Sequence, residues 1–304
     1  MVLEALVVAI LLGAAVRTWR PGIGQSILLT PGIRWSAGTL LEIAVALLGA
    51  SLDARLVARA GVAILVAVVI AVTVGLGMSY GIGRALVLER RLAVLVAAGN
   101  AICGNSAIAA IAPVIGAESE DIASSIAFTA ALGVIVVVCL PLLMAALHLT
   151  TFQYGVLAGL TVYAVPQVLA ATVPVGMVSV QIGTFVKLVR VLMLGPLAVG
   201  LSLRMRGRAA LKVAEAHRLV PWFILTFLGL AAFRSLGWIN PDTGDTLHSV
   251  AGKLATISMA ALGLGVDLRA LARAGPRVTA AVTLSLLALL LLSLGLILAF
   301  RIGA

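Results

Sequence analysis

Two cations, Lys187 and Arg190, lie inside an apolar run from Val178 to Leu203 that contains no carboxylate. Three residues apart on a helix, they share one face. The midpoint of the run falls between Arg190 and Val191, so at about 1.5 Å per residue both Cα atoms sit within roughly 5 Å of the centre along the axis. Ionisable groups at such depth are rare and functional. An anion is the natural counter-ion, so the pair is expected to coordinate one; an acidic residue from another span, Glu42 first, is the alternative partner.

A second set of polar residues interrupts the run Asn100 to Ile115, NAICGNSAIAAIAPVI. Gly104 loosens a helix, Asn105 and Ser106 compete for backbone hydrogen bonds, and Pro113 removes a donor further on, so a break is expected. The second half of a broken helix would start at bilayer depth with exposed N–H groups, whose partial positive charge can hold an anionic or polar group. Asn100, Cys103, Gly104, Asn105 and Ser106 are the candidate binding residues here. Gly159 to Pro174, GLTVYAVPQVLAATVP, offers a second break at Pro166 and adds Gln167 to the candidates. The two segments lie two spans apart, an even offset that is wrong for an inverted pair.

Other chemistry finds little support. Cys103 and Cys139 sit in apolar runs and His148 is alone at a run's end, so neither a metal nor a cofactor is expected. Gly263-Leu-Gly265-Val-Asp267 is one residue longer than the Gly-x-Gly-Asp of intramembrane aspartyl proteases, and no second aspartate lies within a span. The chain therefore does not read as an enzyme. With no Gly-x-x-x-x-Gly-Lys-Ser/Thr pattern, transport would draw on an ion gradient, proton or sodium, or on the membrane potential.

The elements that position these residues follow from composition. Of 304 residues 62% are hydrophobic and 11% charged, against roughly 45 to 50% apolar in a soluble domain, so one integral-membrane domain, with lipid as its partner, is expected over 1–304. Apolar segments fall at about 2 to 16, 37 to 52, 61 to 83, 92 to 115, 122 to 147, 152 to 174, 178 to 203, 217 to 234, 246 to 266 and 277 to 301. They are continuous runs of helical length, so the fold class is all-α and polytopic, with about ten transmembrane helices, and barrel strands are excluded. Met1 to Val16 lacks a basic n-region and carries Glu4, so it reads as mature protein, not a cleaved signal.

The formal charge of +10 reflects loop arginines, not a nucleic-acid surface. If ten spans alternate, one set of loops carries Arg17, Arg20 and Arg34, then Arg84, Arg90 and Arg91, then Arg204 to Arg218, then Arg269, Arg273 and Arg277. That set is expected to be cytoplasmic, with Glu118, Glu120, Asp121, Asp242 and Asp245 opposite and both chain ends outside. Trp19, Trp35, Trp222 and Trp238 fall at or near span ends, as interfacial anchors do. Residues 40–61, LLEIAVALLGASLDARLVARAG, match 254–275, LATISMAALGLGVDLRALARAG, at eleven of twenty-two positions. The copies end the second and ninth spans, an odd offset, which predicts an inverted repeat of the kind found in many secondary transporters. Asp53 and Asp267, at equivalent positions in the copies, read as helix ends paired with Arg55 and Arg269.

ICGNSAIAAIAPVI also resembles the C-G-x-S-A-I-A-A-x-x-P pattern of the YeiH-type family of bacterial inner-membrane proteins, which carries the label sulfate exporter. PGIRWSAGTLLEIAVALLG from Pro31, TFVKLVRVLMLGP from Thr184 and MAALGLGVDLRALARAGP from Met259 agree with it, so the resemblance spans nearly the whole chain. It implies a multi-pass anion exporter related to the bile acid, arsenite and auxin carrier group, with inverted repeats and broken helices at its centre; a homodimer is left open. The family usually has one more helix ahead of Val2, which would make the N-terminus cytoplasmic. It also tends to show a histidine and an acidic residue where this chain has Tyr163 and Ala164.

Overall fold

Continuous apolar sequence in lipid must satisfy its backbone within each helix, and a computed structural model of the chain is helical throughout its described elements. It describes residues 5–20, 29–52, 54–204, 221–265 and 275–303. Asp53, Asp267, Arg269 and Arg273 lie outside the described residues, as do Arg206, Arg208, Lys212 and Arg218 and the side chains of Arg55, Arg59 and Arg204.

The first helix, α1, is Ala5–Trp19. A second span runs from Thr30 to Ser51: α2 (Thr30–Trp35), a π turn (Ser36–Leu40), α3 (Leu41–Leu48) and a 3-10 turn (Gly49–Ser51). The long helix α4 (Ala54–Ala85) is kinked at Gly61, where φ is 59°, so its membrane span is Gly61–Ala85. Next come α5 (Arg90–Ala98) with a π turn (Gly99–Cys103), α6 (Asn105–Ile115) and α7 (Ser119–Ala146). The chain continues through α8 (Thr151–Thr161), α9 (Val165–Thr172), α10 (Met177–Leu192), α11 (Leu194–Arg204), α12 (Trp222–Ser235), α13 (Pro241–Gly265) and α14 (Pro276–Ala299). Among the described residues six segments, of 22 to 28 residues, are long and apolar enough to cross a membrane. Leu284, Leu287, Leu291 and Leu298 on α14 and Val62, Leu65 and Val69 on α4 are exposed, the surface a lipid-facing helix presents.

Two of the ten apolar segments do not run from face to face, which corrects the alternation expected from hydropathy. Arg91, at the start of α5, pairs with Glu118, just beyond α6, at 3.4 Å. Gly99 packs against Ile108, so α6 folds back along α5 and the pair forms a re-entrant hairpin. The second hairpin is α8 with α9: the Tyr154 hydroxyl donates to the Ala171 carbonyl at 2.8 Å, bringing the end of α9 beside the start of α8. From there α10 runs parallel to α8, Ser179 donating to the Thr151 carbonyl and Gly155 packing against Ser179 and Gly183. A Cβ on Gly159 would stand 2.7 Å from the Gly183 carbonyl oxygen, a close approach that small residues permit between membrane helices.

Since α7 runs from one face to the other between them, the hairpins enter from opposite faces. The even offset that argued against an inverted pair counted each hairpin as a crossing. Local chemistry supports each return: Gly116 ends α6 in the left-handed conformation at φ 63°, Glu120 and Asp121 sit in the first turn of α7, and Thr150 and Gln153 form a capping box on α8. Pro113 is accommodated inside α6, and the break comes at Gly104, where φ is 65°.

Two reversals cancel in the parity, so the basic loops still share one face: Arg34, Arg84, Arg90, Arg91 and Arg277 are grouped there. Glu118, Glu120 and Asp121 were expected opposite and lie on this basic face too. At the far face, Gly303 after α14 packs on Phe152 of α8, and Gly244 of α13 lies beside the Ala50 carbonyl. The second span and α13, which hold the first twelve positions of each copy, 40–51 and 254–265, are therefore antiparallel neighbours; positions 266–274 of the second copy lie outside the described residues. The topology has a direct check. In sealed vesicles, an impermeant maleimide is expected to label Glu89→Cys and Glu120→Cys from one side and Leu147→Cys from the other, whereas a crossing α5 and α6 would pair 89 with 147.

Candidate functional site

The hairpin tips meet in the middle of the helical layer. Gly104 can take its positive φ because it lacks a side chain, and a Cβ there would stand 3.2 Å from that of Tyr163 on the other tip. At the second tip the backbone is extended at Val162 and Ala164, and Pro166 restarts the helix in its first turn, where its missing N–H costs nothing. Each break frees carbonyls at the end of one half-helix and N–H groups at the start of the next.

Lys187 and Arg190 take up those carbonyls. Both are fully buried. The Lys187 ammonium donates to the carbonyls of Ile102 at 2.6 Å and Val162 at 2.8 Å. The Arg190 guanidinium donates from Nε to Ala101 at 2.6 Å, from Nη1 to Gly159 at 3.3 Å and Val162 at 3.2 Å, and from Nη2 to Asn100. One helix, α10, thus caps the C-terminal ends of both half-helices with positive charge, where the helix dipoles favour it, and ties the tips together.

A cavity of about 370 Å³ opens on the other side of the tips. Of the residues predicted from sequence, Cys103, Gly104, Asn105, Ser106 and Gln167 line it. Asn100, Lys187 and Arg190 are not among its lining residues. The expected direct contact of the cationic pair with a bound anion is thus not what the geometry presents: carbonyls stand where the anion was expected. Nor does Glu42 pair with them, since the Trp222 indole donates to Glu42 at 2.7 Å. Trp222 therefore has an intramolecular partner in addition to its place at a span end. The Asn100 side chain is buried with neither amide atom hydrogen-bonded, and the Gln167 amide oxygen accepts from the Ala164 N–H at 3.2 Å.

Sequence reasoning did not select Thr129, Tyr163 or Glu42, which also line the cavity. The Thr129 hydroxyl is 2.7 Å from Asn105 Oδ1 and reaches the Ser125 carbonyl at 3.1 Å. Ser125 and Thr129, one turn apart in an otherwise apolar run, were the available signal. The Tyr163 hydroxyl is buried and has no hydrogen-bond partner among the described residues. Asn105 and Ser106 are open to the cavity at the N-terminus of α6, where the first hydrogen bond back along the chain is that of the Ile108 N–H to the Gly104 carbonyl. Backbone N–H groups, an amide and hydroxyls thus converge on one chamber, a set suited to holding a small polar or anionic ligand.

Helices long enough to span a bilayer, exposed leucines and paired re-entrant hairpins define a multi-pass membrane protein. The chain belongs to the family described as Conserved hypothetical protein 698, whose model matches residues 1–282; its curated members are UPF0324 membrane proteins, the YeiH-type family. The chain is 58% identical over 296 residues to a UPF0324 membrane protein of Brucella suis biovar 1, covering 97% of this chain and 87% of the relative. It is 55% identical over 298 residues to that of Bradyrhizobium diazoefficiens (97% and 84%) and 34% identical over 278 residues to that of Bacillus cereus (91% and 78%). No solved structure matches it.

Proposed function

We propose that this protein is a secondary transporter of a small anion in a bacterial inner membrane, and that the cavity at the hairpin tips is its substrate site. The observation that carries the reading is the meeting of two broken helices, entering from opposite faces, at a chamber rimmed by freed N–H groups and hydroxyls. The polar groups of Asn105 and Ser106 and the N-terminus of α6 bind the anion, and Tyr163 forms part of the wall. Gly104 lets the chain turn, and Cys103 and Gln167 complete the wall. Lys187 and Arg190 act from behind, adding positive potential and holding the tips in register. Asn100 supplies a carbonyl to Arg190.

The antiparallel packing of residues 40–51 and 254–265, the first halves of the two copies, supports an inverted repeat, whose two equivalent arrangements give access from either face in turn. Sulfate and sulfite suit the donor set, and sulfate is also the family's label. The test is uptake of labelled sulfate, sulfite and other small anions into proteoliposomes: accumulation above protein-free vesicles is expected, and its absence for every anion would overturn the reading.

A further inference from the structure

The sequence places Glu42 near the start of its apolar run, but the helical span begins at Thr30, so Glu42 is twelve residues in. At about 1.5 Å per residue this is roughly 18 Å along the span from Thr30, midway through its 22 residues. There it lines the cavity, and among the described residues no other carboxylate does. Among the described residues the one ion pair is Arg91 with Glu118, so Glu42 has no cation at bonding distance; its partner is the neutral indole of Trp222. The indole can only donate, so its hydrogen bond goes to an accepting oxygen and leaves the carboxyl group's remaining sites turned to the chamber.

The surroundings are as follows. Cys103 and Tyr163 are the other titratable groups on the cavity wall, one from each hairpin tip. Besides Trp222, the packed helices α11, α12 and α13 contribute the apolar Leu194, Phe223 and Leu262. Arg34 lies two turns back on the same span, and Lys187 and Arg190 stand behind the tips with their N–H groups on carbonyls. A carboxylate on the wall of a chamber that receives an anion repels that anion, and a proton taken up together with the anion removes the repulsion.

We propose that Glu42 is the proton-binding group of this cavity, so that the site loads and empties together with a proton. The inference rests on the transporter reading for its meaning, but the proton site can be measured without any substrate. Eleven Asp and Glu residues contribute carboxylic-acid bands as pH falls, so the Glu42 signal is read as a double difference: the pH-difference infrared spectrum of the reconstituted protein minus that of Glu42→Gln is expected to leave one carboxylic-acid band. Trp222→Phe, which keeps the carboxyl group, should retain the band with a displaced midpoint. A double difference with no carboxylic-acid band overturns the proposal, as does a Trp222→Phe midpoint identical to that of the unaltered protein.

The coupling is read in proteoliposomes with labelled sulfite. A gradient of about one pH unit, in the coupled direction, is expected to change accumulation by up to tenfold for one proton per anion. In Glu42→Gln the ratio of uptake with the gradient to uptake without it should fall to about one, and an unchanged ratio would overturn the coupling. If the unaltered protein moves no anion at all, the transporter reading fails, while the infrared titration still decides whether Glu42 binds the proton.

Discussion

Arg190→Met is expected to lose its folded state in detergent long before the unaltered protein does. Methionine fills much of the same space but offers no donor, so the buried carbonyls of Asn100, Ala101 and Gly159 lose the N–H groups that bind them. Each buried polar group left unpaired costs about 1–3 kcal/mol, and three together are a large share of a typical folding free energy of about 5–15 kcal/mol. Val162 keeps Lys187, so its carbonyl is only partly deprived. Thermal unfolding followed by a thiol- or tryptophan-based signal, with size-exclusion profiles alongside, measures the effect. A guanidinium acting only as a ligand for the transported anion predicts the reverse: removing an unpaired buried charge would leave stability unchanged or raised, and uptake alone would fall. Arg190→Lys should lie between the two, because a single ammonium cannot reach all four carbonyls that the planar fork spans.

The second large effect is on transport, at the first hairpin tip. Asn105→Leu is expected to abolish uptake while leaving the unfolding temperature close to that of the unaltered protein. Asn105 is open to the cavity, and its partner Thr129 keeps the carbonyls of Ser125 and Ile126 as acceptors, so no buried group is stranded. The fold should shift by no more than about 0.5 kcal/mol. Leucine removes the amide from the chamber and puts a branched apolar group at the start of α6, beside the N–H groups that a substrate would need. Loss of one such hydrogen bond to a charged ligand is worth about 1.5–3 kcal/mol, roughly ten- to a hundredfold in affinity, before any steric effect. Full uptake by a folded Asn105→Leu would remove the α6 terminus from the site.

Much of the site was legible because a helix interruption is a local event. Gly104 with Asn105 and Ser106 in one stretch, and Pro166 in another, mark places where the helical hydrogen-bond ladder cannot continue; the first break falls at Gly104, and the second at Val162 to Ala164, just ahead of Pro166. Lys187 and Arg190 were recognisable as buried cations from the run around them, but their partners were not. The carbonyls they bind lie 25 to 90 positions away in the chain, and a carbonyl has the same identity in every residue, so no side-chain pattern announces it. Thr129 was missed for a related reason: its meaning depends on Asn105, 24 positions earlier. Glu42 was misjudged because a π turn carries the span on from Trp35 through Ser36 and Gly38, polar or small residues that lower the local hydropathy without ending the helix.

Composition and hydropathy by themselves determined that this chain folds as apolar helices in lipid, where the breaks fall and which loops are basic, since each depends on residue type over a turn or two. Tertiary structure alone decided whether a broken segment passes through or doubles back, which faces the two hairpins enter from, and that the buried cations hold carbonyls behind the chamber. The physical reason is that transfer of a segment into lipid depends on its side chains and not on its direction. A run of about twenty-four residues has the same hydropathy in either case, and only the packing of Gly99 on Ile108, the Arg91 to Glu118 pair and the fork of Arg190 on two half-helices at once make the returning path the stable one.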